Sequence, residues 1–190
     1  MGEILKVDDF KNELLLLQSF IYFDDNEFLR EKCSNEDFLK DLIGKLDRAI
    51  LDWNSSLLLD DLLFLYGAVG NLYRIQGEVK SSIDVLTKAV RLSKGNKKIA
   101  NHIRLGESLK YAGQHQQALT MFNTVIEQCK QQHSVLLDYA YQHKGKCLLE
   151  LEELSEANEC FRKALELRVK KGDLSLIAST QMAIDYIRDR

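Results

Sequence analysis

Four histidines and four cysteines are the side chains of this 190-residue sequence best suited to holding a metal or moving a proton. Their spacing gives them little to do together. Cys33, Cys129, Cys147 and Cys160 are scattered with no C-x-x-C pair. Cys129 and His133 are spaced as two ligands could be, but a tetrahedral site needs a second pair, and none follows. His102, His115, His133 and His143 have no nucleophile at a readable spacing, and a general base must reach the proton it takes. Gly67 and Gly70 follow a helical pattern rather than a strand, so they form no phosphate loop. The acidic pairs Asp24–Asp25, Asp60–Asp61 and Glu152–Glu153 fall in turns or helix starts, where carboxylates suit the local dipole. The reading is therefore no enzyme, no metal and no cofactor.

The elements that carry these residues come next. There is no proline, and 10 glycines are few for a sheet protein with many tight turns, so long helices are expected and no strand. A net charge of −3 exerts no general pull on nucleic acid or on an anionic membrane. The cluster Lys94, Lys97 and Lys98 lacks interleaved aromatics and reads as a solvated link, not a nucleic-acid site. No apolar run approaches the roughly 20 residues of a membrane span. The start, MGEILKVDDF, lacks a signal pattern, and Lys6 stands where a myristoylation motif wants Ser or Thr. With reduced cysteines, these features make the expected location cytoplasmic.

Self-similarity organises the rest. Gly70, Gly106 and Gly145 lie inside apolar, helix-period segments at intervals of 36 and 39 residues. Three residues after each comes Tyr73, Leu109 or Leu148, and twelve after each comes Ser82, Ala118 or Ala157. Sixteen after each comes Leu86, Phe122 or Phe161, and nineteen after each comes Ala89, Val125 or Ala164. A further copy starts at Ala183 with Tyr186. Each copy reads as two antiparallel helices joined near Gln76–Glu78, Ala112–Gln114 and Leu151–Glu153, and repeats of this length stack. On this reading the first-helix glycine faces the small residue of the second helix. The large residue then fills the space toward the next repeat.

These residues resemble the tetratricopeptide repeat. Tyr66, Val69–Gly70, Tyr73, Gly77, Ser82, Leu86 and Ala89 carry the likeness in the first copy. In the second it rests on Leu105–Gly106, Leu109, Gly113, Ala118, Phe122 and Val125, with His102 at the aromatic place. The third has Tyr141, Gly145, Leu148, Ala157, Phe161 and Ala164, but Glu152 replaces the turn glycine. The resemblance implies an all-α, right-handed superhelical stack of helix-turn-helix repeats. Residues 57–190 would hold about three repeats and a final unpaired helix, and 1–56 a helical cap or degenerate repeat. Val7 to Phe20 reads as one amphipathic helix of that cap, YFDDN at 22–26 as a loop, and Ser34–Asp37 as the start of a helix ending near Trp53. Asn54–Ser56 breaks the chain before the repeats. KKGDLS at 170–175 resembles the Gly-Asp link of longer-period members, which look like peptide-binding adaptors and regulators.

The resemblance also implies a concave groove lined by first helices. The expected groove residues are Phe64, Asn71 and Arg74; Ile103, Arg104, Glu107 and Lys110; Tyr139, Gln142, His143 and Lys146; and Arg188. Recurring cations suggest a protein or peptide partner with carboxylates. Asn71 matches one place of the family's carboxylate clamp, but Gly67, Arg104, Tyr139 and His143 depart from it, which argues against capture of chaperone tails. The functional expectation is a non-enzymatic interaction module acting as adaptor or regulator. The alternative is a scaffold that homo-oligomerises, as a homodimer, through its terminal helices.

Overall fold

The computed structural model describes residues 7–52 and 58–190. The expected helix end at Trp53, the break at Asn54–Ser56 and the reading of Gly2 and Lys6 lie outside these residues. Nine α-helices account for most of the described chain: α1 (Val7–Leu17), α2 (Glu36–Asp52), α3 (Leu59–Gln76), α4 (Val79–Leu92), α5 (Gly95–Tyr111), α6 (His115–Gln131), α7 (Leu137–Glu150), α8 (Leu154–Lys171) and α9 (Leu174–Arg188). The described fold is an all-α repeat stack with one exception. Strands β1 (Ile21–Asp24) and β2 (Arg30–Cys33) form an antiparallel hairpin with Ile21 opposite Cys33 and Asp24 opposite Arg30. The hairpin corrects the expectation of no strand, and it corrects the loop assigned to 22–26. Its connection turns through Phe28 and Leu29 in left-handed backbone, with φ of 53° and 59°, so it carries no glycine signal.

The chain forms two compact units, Met1–Ser93 and Lys94–Arg190. In the first, Phe10 and Leu17 of α1 join Leu39, Leu42, Ile43 and Leu46 of α2 and Leu65, Val69, Leu72 and Ile75 of α3 in one core. Asn35 caps α2, its Oδ1 accepting from the Phe38 N–H at 3.1 Å. Tyr73 ties α3 back to α2 by donating its hydroxyl to Asp47. In the second unit, Ile99 and Ile103 of α5 pack with Val125, Ile126 and Cys129 of α6 and Ala140 of α7.

The glycines show how each helix pair closes. A Cβ on Gly70 would lie 2.6 Å from Leu86 Cγ, and one on Gly106 or Gly145 would lie 2.7 Å from the ring of Phe122 or Phe161. The large residue of the second helix therefore sits directly on the glycine. This revises the expectation that it fills the space toward the next repeat. The small residue is nearby in the first pair, where the Ser82 hydroxyl donates to the Gly70 carbonyl. The pairs then turn in left-handed backbone at Gly77 (φ 93°), Gly113 (φ 75°) and Glu152 (φ 60°). The Gly-Asp link has a local cause as well. Gly172, at φ 75°, ends α8, and the Asp173 carboxylate accepts from the Leu176 N–H at 3.1 Å to start α9.

A buried network joins α7, α8 and α9. Asp138 is fully buried and accepts from Arg168 Nε at 3.0 Å and from the Lys171 ammonium. Arg168 also donates through Nη1 to Thr180 Oγ1 at 2.6 Å and to the Leu176 carbonyl at 3.1 Å. Its guanidinium lies 5.3 Å from the centre of the Tyr139 ring. Thus one arginine holds the start of α9 against the preceding pair.

Candidate functional site

The candidate face is built on α5 and α7. Three-residue spacing makes neighbours of Asn101 and Arg104, of Arg104 and Glu107, and of Glu107 and Lys110 along α5, and four-residue spacing aligns Gln142, Lys146 and Glu150 on α7. The structure pairs charges across these helices. Lys110 Nζ lies 3.1 Å from Glu150 Oε1, and both side chains are almost wholly shielded from solvent. The other oxygen of Glu150 is 2.9 Å from His115 Nε2 at the start of α6. His143 Nδ1 stands 3.0 Å from Glu107 Oε1.

Arg104 differs from Lys110. Its Nη1 donates to Asn101 Oδ1, a neutral amide, at 3.3 Å. It has no carboxylate within ion-pair distance among the described residues. Burial pushes its pKa down from the usual guanidinium value, and Glu107 only partly opposes this. Gln142 is buried, and its Oε1 has no hydrogen-bond partner among the described residues. A half-buried cation and an unsatisfied amide acceptor can take a carboxylate and a main-chain N–H respectively.

The other expected groove residues have varied places. Ile103 is a core side chain, and Phe64 packs on the core of the first unit. Tyr139 is half-buried, with the cations of Arg168 and Lys171 5.3 and 5.5 Å from its ring centre. Lys146 is buried on α7. Arg74 is also buried and bonds Glu31 of β2 and Asn71 Oδ1, the latter at 2.7 Å, so its charge is met within the first unit. Arg188 is exposed and pairs with Asp185 at 2.8 Å and Asp189 at 3.1 Å. Sequence reasoning did not single out Asn101, and it named His115 without giving it a partner. Asn101 stands three residues before Arg104, one turn away, and that was its available signal; His115 had none, because its partner is 35 residues distant.

Cys129, Cys147 and Cys160 are buried, Cys33 is half-buried, and all four are free thiols. Burial raises the pKa of the first three, that of Cys147 to about 12, which leaves them unreactive at neutral pH. Among the described residues, no group of three His, Cys, Asp or Glu could hold a metal ion. Nor is any described helix long and apolar enough to cross a membrane.

Residues 98–169 match the tetratricopeptide repeat family model. No curated protein matches the chain. Among solved structures, a Rap protein complexed with competence and sporulation factor is similar with a TM-score of 0.70 and 16% identity, over 80% of this chain and 45% of that one. Bacillus thuringiensis PlcR, in complex with the peptide PapR7 and DNA, gives 0.66 and 19% over 77% of this chain and 54% of that one. A Podosopora anserina putative kinesin light chain with TPR-like repeats gives 0.63 and 11%, over 97% and 87%. The chain spans about half the length of the Rap and PlcR structures. Matched segment, paired helices and glycine contacts agree on a stack of tetratricopeptide-like helix pairs, with the family match itself falling on residues 98–169.

Proposed function

We propose that this chain is a non-enzymatic protein-interaction module, an adaptor or regulator that binds a peptide segment on the α5–α7 face. The observation that carries the reading is Arg104, a half-buried guanidinium whose described bond goes to the neutral amide of Asn101. A peptide carboxylate would give it the bidentate partner that its geometry favours. Gln142 Oε1 then accepts a peptide N–H. Support for a peptide ligand also comes from the Rap and PlcR structures, solved with competence and sporulation factor and with PapR7, although the likeness is one of fold. The expectation of an acidic partner narrows here, because Lys110 and Arg74 already meet Glu150 and Glu31. In this reading 1–56 caps the repeats, and four free cysteines suit the reducing cytoplasm.

The test starts from a partner identified by pull-down, with its binding segment synthesised as a peptide and titrated by calorimetry. Arg104→Glu should weaken binding at least tenfold, while Arg188→Glu, already paired at the exposed end of α9, should change it less than twofold. Equal binding by wild type and Arg104→Glu would remove the site from this face.

A further inference from the structure

A cleft lies on the flank of α5 away from Arg104. Arg104 follows His102 by two residues, about 200° around a helix, so their side chains leave α5 on opposing sides. His102 there lines a cleft of about 450 Å³ with Gln116, Thr120, Met121, Thr124 and Val125 of α6. That volume lies in the range of small-ligand sites, roughly 300–1,000 Å³.

Comparison with the next repeat explains the opening. His102 and Tyr141 hold the same register, each four residues before the packing glycine, and Thr124 matches Lys163. In the later repeat the Tyr141 ring packs against the core, and Lys163 Nζ covers it at 5.6 Å from the ring centre. In the earlier repeat both side chains are shorter. An imidazole replaces the phenol and a threonine replaces the lysine, so the space that a ring and its cover fill in one repeat is left as a cleft in the other.

We infer that this cleft receives an aromatic side chain from a partner protein, the phenol of a tyrosine. The ring replaces the apolar contact that Tyr141 supplies in its own repeat. His102 supplies the polar end: its Nδ1 is buried and has no hydrogen-bond partner among the described residues. Burial, aided by Lys98, lowers the pKa of His102, so the imidazole is neutral and Nδ1 can accept the phenol proton. The exposed rim, Gln116, Thr120 and Thr124, admits a side chain presented from outside.

Titration of the full chain with N-acetyl-tyrosinamide, followed by amide NMR shifts, tests this directly. Saturable shifts should localise to the cleft residues of α5 and α6, and N-acetyl-leucinamide should bind at least fivefold more weakly. His102→Tyr fills the cleft from within and Thr124→Lys covers it, so each should abolish the shifts. Should His102→Tyr fail to fold, Thr124→Lys decides, because position 124 is exposed on α6. The proposal is overturned if the tyrosine probe gives no saturable shifts, if leucine binds equally, or if Thr124→Lys binds like wild type. Binding of free p-cresol without binding of the blocked tyrosine would assign the cleft to a small molecule and overturn it too.

Discussion

At Gly106 a single methyl group would meet the Phe122 ring at 2.7 Å, and Phe122 is fully buried. Alanine gains about 1 kcal/mol of helix propensity over glycine. Overpacking of this kind costs about 1–3 kcal/mol. Gly106→Ala should therefore be destabilising by about 1 kcal/mol in urea denaturation, and adding Phe122→Leu should recover part of the loss. A raised midpoint for the single variant, the outcome of helix propensity alone, would refute the contact. Glu152 is the opposite case. It occupies left-handed backbone, φ 60°, where its sister turns use Gly77 and Gly113. Glu152→Gly relieves strain of about 1–2 kcal/mol but adds freedom to the unfolded chain. The expected result is a gain of about 0.5 kcal/mol, seen as a higher urea midpoint with an unchanged slope. Both positions were legible in the sequence because a glycine, or its replacement, recurs at a fixed place. What spacing alone could not supply was which neighbour meets each glycine, since small and large residues both recur on the second helix.

Helices α7, α8 and α9 depend on one another through Arg168. Replacing it by methionine keeps the aliphatic volume but leaves the fully buried Asp138 with Lys171 as its cation. Loss of one partner of a buried pair costs about 3 kcal/mol or more. Arg168→Met should lower stability by about that much. Amide exchange in α9 should rise first, because the bonds to Leu176 and Thr180 disappear with the guanidinium. Uniform exchange across α7 to α9 would show that the arginine does not hold α9 in place. The helix pairs were legible from apolar period and turn glycines, whereas the β1–β2 hairpin was not. Its second strand, REKC, has no alternating apolar pattern, because Glu31 serves the buried Arg74. Its turn uses Phe28 and Leu29 where glycine or asparagine would have announced it.

Across the repeats, the arithmetic was sufficient to specify the helix pairs α3–α4, α5–α6 and α7–α8, since each glycine meets the large residue sixteen positions on and the same contact recurs. The inner-helix face was legible as a stripe of polar residues. Its pairing was not, because Lys110 and Glu150 are 40 positions apart and meet only after α5, α6 and α7 have folded. This Lys110–Glu150–His115 cluster has a consequence for how the face evolves. Its charges lose their water when the chain folds, so an arriving peptide meets dipoles that are already fixed and need little reorganisation. Affinity and foldability are thereby coupled at the same atoms. A substitution there that leaves one charge unmatched is removed by selection for a folded chain before selection for a partner can act on it. Variation among related chains should accordingly concentrate at the half-buried margin around Arg104, where a change alters the ligand without breaking the wall behind it.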